Sequence, residues 1–168
     1  MAELTDRITA TKEHAVSPSS HPSKLFVETT TLCNLRCSMC VKQSGSDGIV
    51  EGHMSDETFR ELEPAFPFLD AVVLNGIGEP LLHPLLDDFI RRTRELLKEH
   101  AWVGFQSNGI LLTEGRALSL LDAGLDRICL SMDSVSHDNF RKIREGGEMR
   151  DVQRAFSVLS KAKTMLNR

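Results

Sequence analysis

Apolar positions along the chain alternate between short runs and helical stripes. Lys24-Leu25-Phe26-Val27-Glu28-Thr29-Thr30 is apolar and β-branched over strand length and predicts a first strand. Ser55-Asp56-Glu57 then reads as an N-cap with an acidic first turn. Phe59, Leu62 and Ala65 or Phe66 follow at helical spacing, until Pro64 and Pro67 close the helix. Ala71-Val72-Val73-Leu74-Asn75 is a continuous apolar run of the kind buried parallel strands show, and it ends in Gly76-Ile77-Gly78-Glu79-Pro80. Leu85, Leu86, Phe89, Ile90, Thr93, Leu96 and Leu97 repeat with helical period beside Pro84.

The order then recurs. A third strand is expected over Trp102–Ser107, with a turn at Asn108-Gly109 and a helix from Thr113 that Gly124 ends. A fourth strand spans Arg127–Met132; a short helical segment around Phe140, a Gly146-Gly147 break and an amphipathic helix from Met149 to Leu166 follow. Strict strand and helix alternation predicts an α/β fold with a parallel sheet and right-handed crossovers. A closed eight-unit barrel takes about 250 residues, so about four βα units form an open or truncated barrel of the TIM type. Residues 1–23 are polar, with Pro18, Pro22 and a Ser-rich run, and read as a disordered tail. The folded unit is therefore expected over residues 24–168.

With 168 residues, 40% hydrophobic and 26% charged, the composition is that of one soluble globular domain. No run approaches the roughly 18 apolar residues of a membrane span, and residues 1–20 show neither a signal-peptide core nor a basic transit pattern. A cytoplasmic location is expected. The net charge of -4 offers no basic field for nucleic acid. Residues 141–168 are locally basic, with eight Lys or Arg against three Asp or Glu, and read as a solvated helix face.

Three of the four cysteines fall within eight residues, which is a metal or redox pattern and not a disulfide framework. Cys33, Cys37 and Cys40 stand where the first strand ends, and open parallel sheets bind their ligands at such strand ends. Three thiolates are one short of the four that close a structural zinc site or a complete iron–sulfur cluster, so one metal position stays open to an outside ligand. A zinc knuckle with His53 as fourth ligand is the competing reading. Cys129, alone in an apolar run, shares strand parity with Ser131 and is expected in the core as a small hydrophobe. Arg144, near the glycine pair, is within reach of a carboxylate but is expected to be an ordinary surface arginine.

The CxxxCxxC spacing of Cys33, Cys37 and Cys40 resembles the signature of the radical S-adenosylmethionine (SAM) superfamily. Gly76-Ile77-Gly78-Glu79-Pro80 looks like its Gly-Gly-Glu motif with Ile77 in place of one glycine. Ser107-Asn108-Gly109 and Ser131-Met132-Asp133-Ser134 are also similar to family segments, in the same order along the chain. The branch it most resembles matures peptides and cofactors. The resemblance implies that Cys33, Cys37 and Cys40 hold three irons of a [4Fe–4S] cluster and that SAM binds the fourth. It places Gly78 and Glu79 at the methionine amino group, and Asn108, Ser131 and Asp133 at the carboxylate and ribose. It further implies reductive cleavage of SAM to a 5′-deoxyadenosyl radical that abstracts hydrogen from an unknown substrate, with an electron donor such as flavodoxin or ferredoxin. Met39 stands where the family commonly has an aromatic residue before the third cysteine, and strands five and six are absent. The enzyme reading therefore stands beside a noncatalytic one, in which a truncated remnant serves as an iron–sulfur binding or electron-transfer module. A last strand without a partner is also expected to favour self-association.

Overall fold

Each apolar run satisfies its backbone by pairing with a neighbour, and four of them do so in chain order. In the computed structural model, which describes residues 22–45 and 48–167, β1 (Lys24–Phe26), β2 (Ala71–Val73), β3 (Trp102–Ser107) and β4 (Arg127–Leu130) form one sheet in the order β1-β2-β3-β4. All three pairings are parallel, and Phe26, Val73, Gly104 and Arg127 lie abreast. The expected tail lies outside the described residues except for Pro22 and Ser23. The Ser23 carbonyl already accepts the Asp70 and Ala71 N–H groups at 2.7 and 3.2 Å.

The connecting helices are α1 (Asp56–Arg60), α2 (Leu86–Leu96), α3 (Glu114–Asp122), α4 (His137–Ile143) and α5 (Met149–Met165). Ser55 and Thr113 cap α1 and α3 by accepting the Thr58 and Arg116 N–H groups. The first helix is shorter than its apolar spacing suggests. Pro64 lacks an N–H and disfavours helical backbone before it, so the chain passes from Arg60 into a 3₁₀ turn over Glu63–Phe68. The first strand is shorter as well, because Thr29 and Thr30 leave β2 to pair with the returning end of the cysteine loop. There Met54 N–H donates to the Thr29 carbonyl at 2.8 Å, and Thr30 bridges His53.

Helices cover one face of the sheet. Val72, Leu74, Val103 and Phe105 pack there against Phe59, Phe89, Leu120 and Ala155, all buried. Phe59 and Phe89 stack at 3.8 Å between ring centroids, and Arg92 lies over both while bridging Asp56, Glu63 and Asp88. On the basic last helix Lys161 is exposed and pairs with Glu114, as a solvated face requires.

Residues of the opposite parity face the concave side, which the four strands leave open. Phe26 is 67% exposed, and Gln106, Arg127 and Cys129 are exposed beside it. Cys129 therefore is not core. Its parity is that of the barrel interior, but among the described residues no strand lies beyond β4 to cover that face. No helix among the described residues is long and apolar enough to cross a membrane.

Candidate functional site

The three cysteines lie on the loop that leaves β1, and that loop is tied at both ends. Thr30 Oγ1 accepts Leu32 N–H at 3.1 Å and donates to the Gly52 carbonyl at 3.0 Å; Thr31 Oγ1 donates to the Val50 carbonyl at 2.9 Å. Cys40 N–H closes a turn on the Cys37 carbonyl at 2.9 Å, and a 3₁₀ turn over Val41–Gln43 follows. Cys37 is buried, and Cys33 and Cys40 are partly buried.

All three line a cavity of about 250 Å³ at the C-terminal end of the sheet, together with Gly78, Glu79, Asn108, Ser131 and Arg144. The loop after β2 reaches it because Gly78 has no side chain. A Cβ there would stand 2.2 Å from the Thr30 carbonyl oxygen and 2.6 Å from that of Leu32, while Glu79 N–H donates to the same Leu32 oxygen at 2.8 Å. The Glu79 side chain is buried and braces the next loop. One carboxylate oxygen accepts Ser107 Oγ at 2.8 Å and Leu81 N–H at 3.1 Å, and the other accepts Asn108 N–H at 2.8 Å. All three partners are neutral donors, and burial outweighs them to hold the Glu79 pKa above the ordinary carboxylate value.

Asn108 spends its side chain on local order. Its amide donates to Asn34 Oδ1 at 2.8 Å, and its oxygen accepts Ile110 N–H at 3.0 Å. Gly109, at φ 77°, then turns the chain in the left-handed region, with its α-carbon face against Ala155. Ser131 is buried, with its N–H on the Ser107 carbonyl at 2.8 Å and its hydroxyl accepting from Gln106 Nε2 at 3.0 Å. Asp133 is not part of the cavity wall; its carboxylate takes Arg144 Nε from outside.

Arg144 is not an ordinary surface residue. Its side chain is 11% exposed, and Nη1 stands 3.8 Å from Cys37 Sγ. The only sequence signal for it is the Gly146-Gly147 break that lets the chain fold back after α4. Asn34, between the first and second cysteines, was equally unmarked. A larger concavity of about 700 Å³ runs along the β4 edge, lined by Phe26, Trp102, Ile128 and Cys129 among others. Asp126, Arg127 and Lys163 also line it, but the clustered cysteines line only the smaller cavity; Asn75 and Gln106 line both.

The donor set suits a cluster better than a zinc ion. Among the described residues no three His, Cys, Asp or Glu side chains gather as the ligands of one metal ion. A zinc needs four ligands gathered on one point, whereas a cluster takes each thiolate on a separate iron. His53 packs its ring edge-on against His83 at 5.0 Å, on the far side of the loop's return, and does not line the cavity. Burial raises the pKa of Cys33 and Cys37, and Arg144 opposes this at Cys37. A metal takes both as thiolates, so burial works against metal binding there and Arg144 favours it at Cys37.

The model of the family described as the radical SAM superfamily matches residues 27–165. The chain is 38% identical over 112 residues to the tungsten-containing aldehyde ferredoxin oxidoreductase cofactor-modifying protein of Pyrococcus furiosus, covering 65% of this chain and 30% of that protein. It is 36% identical over 131 residues to a probable GTP 3',8-cyclase of Archaeoglobus fulgidus, covering 77% and 42%. Among solved structures, native anSMEcpe with bound AdoMet superimposes with a TM-score of 0.67 at 26% identity, covering 84% of this chain and 42% of that one. BtrN in complex with AdoMet and 2-DOIA gives 0.59 at 27% identity, covering 78% and 54%. The chain thus spans less than half the length of these two curated relatives. The superfamily's cofactors are a [4Fe–4S] cluster and SAM, and the trio of cysteines, the four parallel βα units and the family match over residues 27–165 agree: the chain belongs to the radical SAM superfamily.

Proposed function

We propose that residues 24–168 are the cluster- and SAM-binding core of a radical SAM enzyme, with Cys33, Cys37 and Cys40 as the cluster ligands. The observation that carries this reading is the single cavity shared by exactly these three thiols and by the loops after β2, β3 and β4. Held by Cys33, Cys37 and Cys40, a reduced cluster would supply the electron for reductive cleavage of SAM, and bound SAM would supply the hydrogen-abstracting group.

The protein's residues bind and orient. Glu79 presents a buried carboxylate whose hydrogen-bond partners are all neutral, with Arg144 the cation that acts on it from across the cavity, and burial still outweighs both, so an ammonium group in the cavity would add favourable charge. Gly78 keeps that wall low, and Asn108 and Ser131 offer short polar groups whose backbones the sheet holds in place. Arg144, the cation of the cavity wall, suits the SAM carboxylate. Asp133, outside the wall, fixes Arg144 with its carboxylate, and its part in the site is to hold that guanidinium in place.

A peptide or cofactor precursor as substrate is supported by the relatives, which include a cofactor-modifying protein, and by a neighbour solved with AdoMet and a peptide. The same relatives do not favour a noncatalytic remnant. The electron comes from an external low-potential donor of the flavodoxin or ferredoxin class. Among the described residues the outer edge of β4 has no strand partner, and that edge is the surface through which self-association would run.

Anaerobic reconstitution with iron and sulfide tests the assignment. Cys33→Ala, Cys37→Ala and Cys40→Ala each abolish the charge-transfer absorption, Cys129→Ala keeps it, and SAM changes the electron paramagnetic resonance spectrum of the reduced protein. Stoichiometric zinc without iron, or a spectrum indifferent to SAM with no 5′-deoxyadenosine formed, refutes the reading.

A further inference from the structure

Arg144 and Cys37 are brought face to face by backbone, not by their side chains. Arg36 N–H donates to the Glu145 carbonyl at 3.0 Å, and Ser38 N–H donates to the Ile143 carbonyl at 2.9 Å. Cys37 and Arg144 are the middle residues of these two clamped triplets. Leu35 packs on the following Gly146-Gly147, where a Cβ would meet it at 3.3 to 3.4 Å. Main-chain bonds and this contact thus hold the two segments together whatever the side chain at position 144.

The side chain is then left to do something else. Nε is fixed by the Asp133 carboxylate, and Nη1 is aimed at Cys37 Sγ at 3.8 Å, in a setting where 11% of the side chain meets solvent. A cation so placed stabilises negative charge on that sulfur with little screening by water. The reduced state of an iron–sulfur cluster carries one more negative charge than the oxidised state, and hydrogen bonds and charges at the ligating sulfurs set its potential.

We propose that Arg144 is a positioning residue that raises the reduction potential of the cluster on the Cys33, Cys37 and Cys40 trio, and that Asp133 holds its guanidinium on Cys37 while partly compensating its charge. This inference rests on the cluster assignment proposed above. The step it affects is the gain of one electron from a low-potential external donor, with no bond made or broken and no proton moved by Arg144. The charge arrangement fixes two opposite signs. Removing the cation disfavours reduction, and removing the compensating carboxylate while keeping its hydrogen-bond acceptor favours it.

The test is a potentiometric titration of the reconstituted full chain without SAM, read by electron paramagnetic resonance, with iron content measured in every sample. Arg144→Gln shifts the reduction equilibrium about ten-fold toward the oxidised form, or ~59 mV for a one-electron couple. Arg144→Lys restores most of that shift, and Asp133→Asn moves the potential the other way. Arg144→Gln with a full complement of iron and an equilibrium within two-fold of wild type overturns the inference, as does Asp133→Asn shifting in the same direction as Arg144→Gln. If Arg144→Gln takes up no iron, the other two variants decide: a near-wild-type potential for Arg144→Lys with a raised one for Asp133→Asn supports the inference, and any other pair of results overturns it. Wild-type protein that takes up no iron refutes the cluster assignment itself, and this inference with it.

Discussion

Gly78→Ala adds one methyl group where the loop after β2 lies directly on the backbone that leaves β1. That carbon would stand 2.2 Å from the Thr30 oxygen, 2.6 Å from the Leu32 oxygen and 2.8 Å from the Thr30 carbonyl carbon. Nonbonded carbon contacts are most favourable at about 3.5–4.0 Å, so the two segments must separate by about 1 Å. The obstacle is main chain on both sides, with no flexible side chain to swing aside. Separation stretches the 2.8 Å bond from Glu79 N–H to Leu32 and draws the Glu79 carboxylate from Ser107 and Asn108. Overpacking costs about 1–3 kcal/mol and a lost hydrogen bond about 1 kcal/mol, so the expected loss is about 3 kcal/mol. At about 2–4 °C per kcal/mol for a chain of this size, the Tm falls by about 9 °C. Urea unfolding of the metal-free protein measures this as a lower midpoint at unchanged slope. Gly115→Ala is the control, because no atom lies within 4 Å of its added methyl and it stands in α3. It stabilises by about 0.5–1 kcal/mol. A Gly78→Ala protein within about 0.5 kcal/mol of wild type refutes the close-approach account and leaves this glycine without a steric purpose.

Three further outcomes follow from the same contacts. Glu79→Ala strips partners from Ser107 Oγ and from the Asn108 and Leu81 N–H groups, and lowers unfolding stability by about 3 kcal/mol or more; a loss under about 1 kcal/mol contradicts the bracing role. His83 is buried, shares a hydrogen bond between Nε2 and the Met54 carbonyl and accepts Leu85 N–H at Nδ1, and burial holds its pKa below the ordinary 6.5. The unfolded chain therefore takes up the proton first, so the stability tied to this site is complete above about pH 6.5 and is lost as pH falls through the lowered folded value. Urea midpoints should fall between about pH 7 and pH 5, with a shallower slope in His83→Gln; identical slopes refute the assignment. Cys129 is exposed, so in the native metal-free protein it reacts with a maleimide faster than buried Cys37, and Cys129→Ala changes stability by less than about 0.5 kcal/mol. A larger loss would show that the concave face is covered.

Periodicity carries far where the deciding forces are local. Trp102–Ser107 matches β3 residue for residue, and the stripes of α2, α3 and α5 fall within a residue or two of their apolar patterns. The nearness of Cys33, Cys37 and Cys40 was legible for the same reason, since their spacing along a few consecutive positions keeps them on one loop, where all three line one cavity. Gly78, Glu79, Asn108 and Ser131 follow β2, β3 and β4 in the chain, and the parallel sheet brings them to the cavity that the trio also lines.

What the chain order leaves open are the contacts between loops. Arg144 meets Cys37 across 107 positions, and Glu79 reaches Ser107 and Asn108 across 28 and 29. No local pattern encodes such meetings, because they depend on which strands become neighbours and on how the main chain of residues 36–38 and 143–145 bonds together. The early end of β1 is of this kind, since Thr29 and Thr30 find better backbone partners in residues 52–54 than in β2. Cys129 is the opposite lesson. Its parity was fixed by the sequence at two residues per repeat, but burial is a property of what lies across the sheet, and only the tertiary structure could show a concave face that four strands do not close.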